Sequence, residues 1–228
     1  MLKDDLGQIS NKLKKYKKAV DSIDQKKEEN EKITKFKEAA SAYNLSIGKM
    51  YEAYSNTSFK PRDMQKLNDA VVQSELLRKA AENDELSFDI IDRSKNVFKK
   101  LDDMLKNSWA AYYSSVGLPA KTQINLLSGL STNKEQYLRI EAAINKAKEW
   151  DGLAQTENGK SRIENFSNGL KEIDQFQSSL NLNTEVTTFL RTVANGKADI
   201  QDLTDNIIKW IDENDIGNMF SITFKNTL

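Results

Sequence analysis

Residues 2–23, LKDDLGQISNKLKKYKKAVDSI, contain the clearest periodic pattern in this 228-residue chain. Apolar side chains recur there in alternating steps of four and three, at Leu2, Leu6, Ile9, Leu13, Tyr16, Val20 and Ile23. This spacing is typical of the seam of a coiled coil. The stripe resumes at residue 33 and continues to residue 54, after a polar stretch that holds neither Gly nor Pro. The pattern predicts one long first helix, followed by a turn at residues 55–60.

A second helical limb is predicted from Pro61, because proline suits the first position of a helix. Its apolar stripe begins at Met64, Leu67, Val71 and Leu77. We expect a kink near Asn83 and an end at residues 117–119, whose sequence is Gly-Leu-Pro. Two limbs of similar length joined by a short turn bury both stripes when they lie antiparallel. Residues 1–116 are therefore predicted to form a long antiparallel helical hairpin.

The remaining chain is predicted to add two smaller helical regions. Residues 117–182 form a third limb packed along the hairpin, with a capping box at Thr132 and Glu135 and a break at Asn158-Gly159. Residues 183–228 form a small acidic helical cap, whose first helix begins at residue 183 or 184 and ends at residues 195–196, Asn-Gly. Because 30% of the residues are charged, the expected fold is all-α and elongated, an antiparallel coiled coil or helical bundle.

The last residues of the chain show a different period. Apolar residues alternate with polar ones there, at Phe220, Ile222 and Phe224, as in a half-buried strand. A short terminal strand in a helical chain has no internal neighbour for its backbone N–H and C=O groups. We expect this tail to pack on its own helices, to pair with a partner or a second copy, or to be a frayed end. Phe220, Ile222 and Phe224 are its candidate partner-binding residues.

Several kinds of chemistry are excluded by composition. The chain has no Cys and no His, which removes disulfides, thiolate or imidazole zinc sites and the Ser-His and Cys-His relays. Residues 158–161, Asn-Gly-Lys-Ser, end like a phosphate-binding loop, but Ala154 occupies the required first glycine position. Residues 212–217 begin like a calcium loop, but Thr223 replaces its final glutamate. We expect no enzymatic activity, no cofactor and no metal.

Charge is balanced overall, at 34 basic and 34 acidic residues, but it is unevenly distributed. Residues 1–60 carry a net charge of +4, and residues 183–228 carry −3. Part of the basic charge forms a candidate anion or nucleic-acid patch outside the seam, the lysine patch, made of Lys12, Lys14, Lys15, Lys17 and Lys18. Opposite charge at the two ends also favours a homodimer.

Long helices that bury one stripe present wide, rigid faces and no enclosed pocket. The expected function is therefore protein–protein interaction, as a structural or adaptor subunit of a larger assembly that binds through coiled-coil faces and the tail. Trp109 and Tyr113 would anchor a partner if they were exposed. The alternative is a nucleic-acid-binding accessory subunit that uses the lysine patch. With no membrane-spanning apolar run and no signal-peptide pattern, we expect a cytoplasmic location and no membrane contact.

Overall fold

A computed structural model describes residues 2–130, 134–179 and 182–221, with side chains from residue 15 onward except at 16, 19, 129, 130 and 179. The all-α class is confirmed. Across the described residues the helices are α1 (Leu2–Asn56), α2 (Met64–Glu82), α3 (Phe88–Leu130), α4 (Lys134–Lys146), α5 (Arg162–Ser179), α6 (Thr184–Ala194) and α7 (Asp205–Glu213). Two short strands, β1 (Thr156–Glu157) and β2 (Lys160–Ser161), pair antiparallel.

The chain divides into two compact units. The first unit comprises Met1–Ser46 and Asp63–Asp102, and the second comprises Ile47–Arg62 and Asp103–Leu228. Both α1 and α3 therefore contribute to each unit. The regions 1–116, 117–182 and 183–228 and the coiled-coil arrangement stay predictions.

In the first unit, α1 and α3 run in the same direction. Near the start of α3, the Nζ atom of Lys35 lies 4.7 Å from the centroid of the Phe88 ring. Further along both helices, the Ser46 hydroxyl donates a hydrogen bond of 2.7 Å to the Asp102 carboxylate. Because residue numbers rise together on the two helices, their chain directions are parallel. The antiparallel arrangement predicted for the two limbs therefore does not hold for α1 and α3.

The chain reverses direction between α2 and α3. The Gln73 amide donates a hydrogen bond of 3.0 Å to the Ser94 hydroxyl, across a connection at residues 83–87. These two residues lie at similar distances before and after that connection, so α2 and α3 are antiparallel. Asp84 adopts a left-handed backbone conformation there, with φ of 58°. The kink expected near Asn83 is thus a full reversal, and the predicted second limb is two helices.

The predicted helix end at residues 117–119 is wrong, because α3 continues through Pro119 to Leu130. Gly117 has a packing role. A Cβ atom at this position would lie 2.6 Å from the Tyr113 ring, which is itself buried. The absence of a side chain at Gly117 lets the Tyr113 ring lie against the helix backbone.

An aromatic cluster forms the core of the second unit. Phe59, Trp109, Trp150 and Phe166 are almost completely buried, and their ring centroids lie between 5.5 and 6.3 Å from at least one neighbour. The Trp109 indole N–H donates a hydrogen bond of 2.8 Å to the Ala147 carbonyl, which satisfies the polar atom of this buried ring. The large rings thus connect α3 with α5 and with the segments next to α1 and α4.

A smaller apolar cluster joins α6 and α7. The predicted start and end of α6 are confirmed: the Asn183 side chain accepts a hydrogen bond of 2.8 Å from the Val186 N–H, and Gly196 follows the helix with φ of 64°. Buried residues of both helices form one cluster with a residue of α3 and a residue that follows α7. Its members are Leu126, Val186, Phe189, Leu190, Ile207, Ile211 and Ile216.

Residues 158–159, predicted as a helix break, form the turn of the β1–β2 hairpin. Asn158 and Gly159 have φ values of 54° and 78°, as a tight two-residue hairpin turn requires. The predicted capping residue Thr132 lies outside the described residues. Among the helices of the described residues, none combines the length and the apolar character that a bilayer crossing demands.

Candidate functional site

The lysine patch lies on the N-terminal part of α1. Lys15, Lys17 and Lys18 are exposed, whereas the side chains of Lys12 and Lys14 lie outside the described part of the chain. Lysine side chains carry a formal positive charge. The three described members therefore provide an accessible positive surface.

Helix α2 has apolar residues on two opposite faces. Its buried face consists of Ala70, Gln73, Leu77 and Ala80. Its opposite face, the α2 face, exposes four large apolar side chains, with exposed fractions of 57%, 48%, 60% and 51% at Met64, Val71, Val72 and Leu76. The prediction placed Met64 and Val71 in the core stripe, and both are exposed. The α2 face is absent from the predicted site residues.

Charged residues beside the α2 face are paired within their own helix. The Arg78 guanidinium lies 2.7 Å from the Glu75 carboxylate and 2.5 Å from the Glu82 carboxylate. These hydrogen bonds lower the pKa of the Glu75 carboxyl and raise that of Arg78. Since Arg78, Glu75 and Glu82 already pair with one another, the α2 face offers a partner mainly apolar side chains.

The predicted tail residues have separate outcomes. Phe220 is half-buried, with its ring centroid 5.6 Å from that of Phe189, and it packs against the α6–α7 cluster. Ile222 and Phe224 lie outside the described residues. Packing on its own helices was one of the three expectations for the tail, and Phe220 meets it. Partner binding through the tail stays a prediction.

Two aromatic residues considered as partner anchors are buried. Trp109 is fully buried and Tyr113 is 4% exposed. Both belong to the aromatic cluster, where the Tyr113 ring centroid lies 6.2 Å from that of Phe166. The condition for anchoring a partner, exposure of Trp109 and Tyr113, is therefore not met.

Sequence analysis did not predict the polar groove along α4, α5 and the hairpin, because its lining residues lie on separate elements between residues 139 and 175. The groove encloses a volume of about 690 Å³, with Ile140 and Gly169 among its lining residues. Five basic and two acidic side chains line it: Arg139, Lys146, Lys160, Arg162, Lys171, Glu157 and Glu172. Its formal charge is therefore positive.

Ion pairs occupy most of the charged groups in this groove. The Glu157 carboxylate lies 2.7 Å from the Lys146 Nζ atom and 3.3 Å from the Arg162 Nε atom, and Glu172 pairs with Arg139. The hydrogen bond from Lys146 holds the pKa of Glu157 below its usual value. A general acid at neutral pH needs a raised pKa, so Glu157 is unsuited to that role. The lining residues also include no hydroxyl or thiol nucleophile.

No convergent group of three or more carboxylates able to hold a metal ion occurs within residues 2–130, 134–179 and 182–221.

Comparison with known proteins finds no family model, no curated protein and no solved structure that matches this chain. Function must therefore be inferred from the surfaces of the chain itself. The α2 face exposes four large apolar side chains, and the described N-terminal part of α1 exposes three lysines together with Val20 and Ile23.

Proposed function

We propose that this chain is a non-enzymatic protein-interaction subunit that binds an amphipathic helix of a partner protein on the α2 face. The observation that carries the proposal is the exposure of four large apolar side chains on one helix. A soluble helix normally turns such residues toward its own core. Here the core-facing positions of α2 are occupied by other residues, two of them alanines.

The size and chemistry of the α2 face suit a helical partner. Val72 and Leu76 are one helical turn apart, and Met64 is two turns before Val72. An amphipathic helix recognises such a row with its own apolar residues at positions i, i+3, i+4 and i+7. Burial of one such side chain contributes about 1.5–3 kcal/mol. Since the neighbouring charges are paired within α2, binding should depend weakly on salt.

The proposal is tested by affinity purification of the full chain from its native host, followed by mass spectrometry. The variant V72E/L76E places two charges on the α2 face, and L138E/I208E makes the same change at exposed positions on α4 and α7. We expect V72E/L76E to recover at least about tenfold less of a partner protein than the parent chain does. The control L138E/I208E should recover as much as the parent. All four positions are exposed, so both variants should keep the parent melting temperature. Equal recovery of the same proteins by both variants would refute the proposal.

A second candidate function, nucleic-acid binding, is favoured by the exposure of Lys15, Lys17 and Lys18. Phosphate contacts release counterions, so affinity would fall steeply as salt rises. Replacing all five lysines of the patch by glutamine should then weaken binding to duplex or single-stranded nucleic acid. A titration at about 50 mM salt that detects no binding ends this alternative.

A further inference from the structure

The N-terminal part of α1 is helical, and its described side chains before residue 32 are uncovered. Every residue from 15 to 31 whose side chain is described is exposed, including Val20 at 54% and Ile23 at 65%. The start of α3 lies beside Lys32 and Lys35, and α2 ends in the reversal just before it. These helices therefore begin to cover α1 only near residue 32. An uncovered helix with a regular apolar stripe is typical of one helix of a coiled coil.

The heptad positions follow from the sequence of residues 2–27. Leu6, Leu13 and Val20 fall at position a, and Leu2, Ile9, Tyr16 and Ile23 fall at position d. The flanking e positions carry Lys3, Ser10, Lys17 and Asp24, and the g positions carry Asp5, Lys12, Ala19 and Lys26. In coiled coils these e and g residues select the partner and its direction.

A parallel pair of these helices is disfavoured by charge. In a parallel dimer each g residue faces the e residue five positions later on the other helix. Lys12 would then face Lys17 of the second copy, twice in each dimer, and no attractive g–e pair within residues 2–27 compensates for this repulsion. Like charges held at this spacing destabilise the pair.

We propose that the chain forms an antiparallel coiled-coil dimer with a second copy of itself, through residues 2–27 of α1. In the register we assign, the numbers of two facing core residues add up to 29. An antiparallel pair places a against d, and the resulting core layers are Leu6 with Ile23, Ile9 with Val20 and Leu13 with Tyr16, each present twice. The exposed residues Val20 and Ile23 then gain apolar partners.

Charge complementarity selects this register. In an antiparallel pair, e positions meet e positions and g positions meet g positions. Lys3 then meets Asp24 and Asp5 meets Lys26, each twice, while Lys12 meets Ala19 and Lys17 meets Ser10. A shift by one heptad, to a sum of 22, would place Lys12 against Lys12 and Lys3 against Lys17. Only six layers are apolar on both sides, because Leu2 faces Lys27 in the two outermost layers. We therefore expect a dissociation constant on the order of tens of micromolar.

Cysteine cross-linking of the full chain tests both the dimer and its direction. Because the chain has no cysteine, the single variants I9C and V20C each contain one thiol. When they are mixed at about 100 micromolar and oxidised with glutathione, we expect a disulfide between residues 9 and 20 and no homodisulfide. In the proposed register identical positions lie about 16 Å apart along the axis, beyond the reach of a disulfide. Homodisulfides at the rate of the mixed product, or no cross-link, would overturn the proposal.

A charge exchange gives a second test, read by light scattering of the parent chain and its variants. K3E or D24K alone should weaken dimerisation by about tenfold, and K3E/D24K should restore it. D21K introduces the same charge change at an outward b position and serves as the control. A purely monomeric parent of 25.9 kDa at about 100 micromolar, or K3E/D24K weaker than both single variants, would overturn the proposal. Neither result would affect the α2 face, so the two proposals fail separately.

Discussion

Replacement of Gly117 by alanine should destabilise the chain, although alanine is the better helix former. In a helix interior the change from Gly to Ala normally stabilises by about 1 kcal/mol. At Gly117 the added Cβ atom would lie 2.6 and 2.7 Å from the Cδ2 and Cε2 atoms of Tyr113, about 1 Å closer than an ordinary carbon contact. The Tyr113 ring is buried and packs against Phe166, so it cannot easily retreat.

Insertion of a methyl group into a packed core costs about 1–3 kcal/mol, and the confined ring places this site in the upper half of that range. After the gain in helix propensity is subtracted, G117A should lower the free energy of unfolding by about 1–2 kcal/mol. Urea titration measures this as a lower midpoint at an unchanged slope.

Gly48 supplies the matched control, because it lies inside α1 and a Cβ atom there meets nothing within 4 Å. G48A should therefore stabilise by about 1 kcal/mol. In a Y113A background the clash is removed, and G117A should become stabilising. If G117A stabilises the parent as much as G48A does, the close approach of Tyr113 to the helix backbone is refuted.

Three further outcomes follow from the second unit. W109F removes the 2.8 Å hydrogen bond to Ala147 and should lower the free energy of unfolding by about 2 kcal/mol in a urea titration. F220A removes a half-buried ring from the α6–α7 cluster and should speed amide exchange in both helices; unchanged exchange would contradict the packing of the tail. NMR titration should show Glu157 ionising below its usual pKa, and K146Q should raise that pKa. The stabilisation from this pair is present above about pH 4.3 and is lost as pH falls through the folded pKa.

The sequence predicts the all-α class, the length of α1 and both ends of α6, because each depends on local signals. Residues 8–47 contain neither Gly nor Pro, which favours one helix, and Asn183 and Gly196 are typical of helix ends. By contrast, the reversal at residues 83–87 contains neither Gly nor Pro. Asp84 adopts the left-handed conformation there, which Asp tolerates better than most residues do. The local sequence signal for this turn is therefore weak.

The buried face of α1 was also hard to predict. The hydrophobic stripe after residue 33 favours large residues, yet the fully covered positions include Ala39, Ser46 and Ala53, spaced seven residues apart. Ile33 and Tyr54, which belong to the predicted stripe, are exposed. Small side chains contribute little to a hydropathy pattern. They nevertheless allow helices to approach closely, which hydrophobicity alone does not indicate.

On α2, too, small side chains face the core while large apolar side chains are exposed, and this arrangement links the fold to the proposed function. Alanines 70 and 80 face the core, while Val72 and Leu76 face solvent. If α2 served only to fill the core, exchanging these sets would bury more apolar area and would be favoured by the hydrophobic effect. The observed arrangement keeps the inner face small for close packing and leaves the larger side chains accessible. Binding of a partner helix, as we propose, would bury them and would account for the apolar pattern of α2.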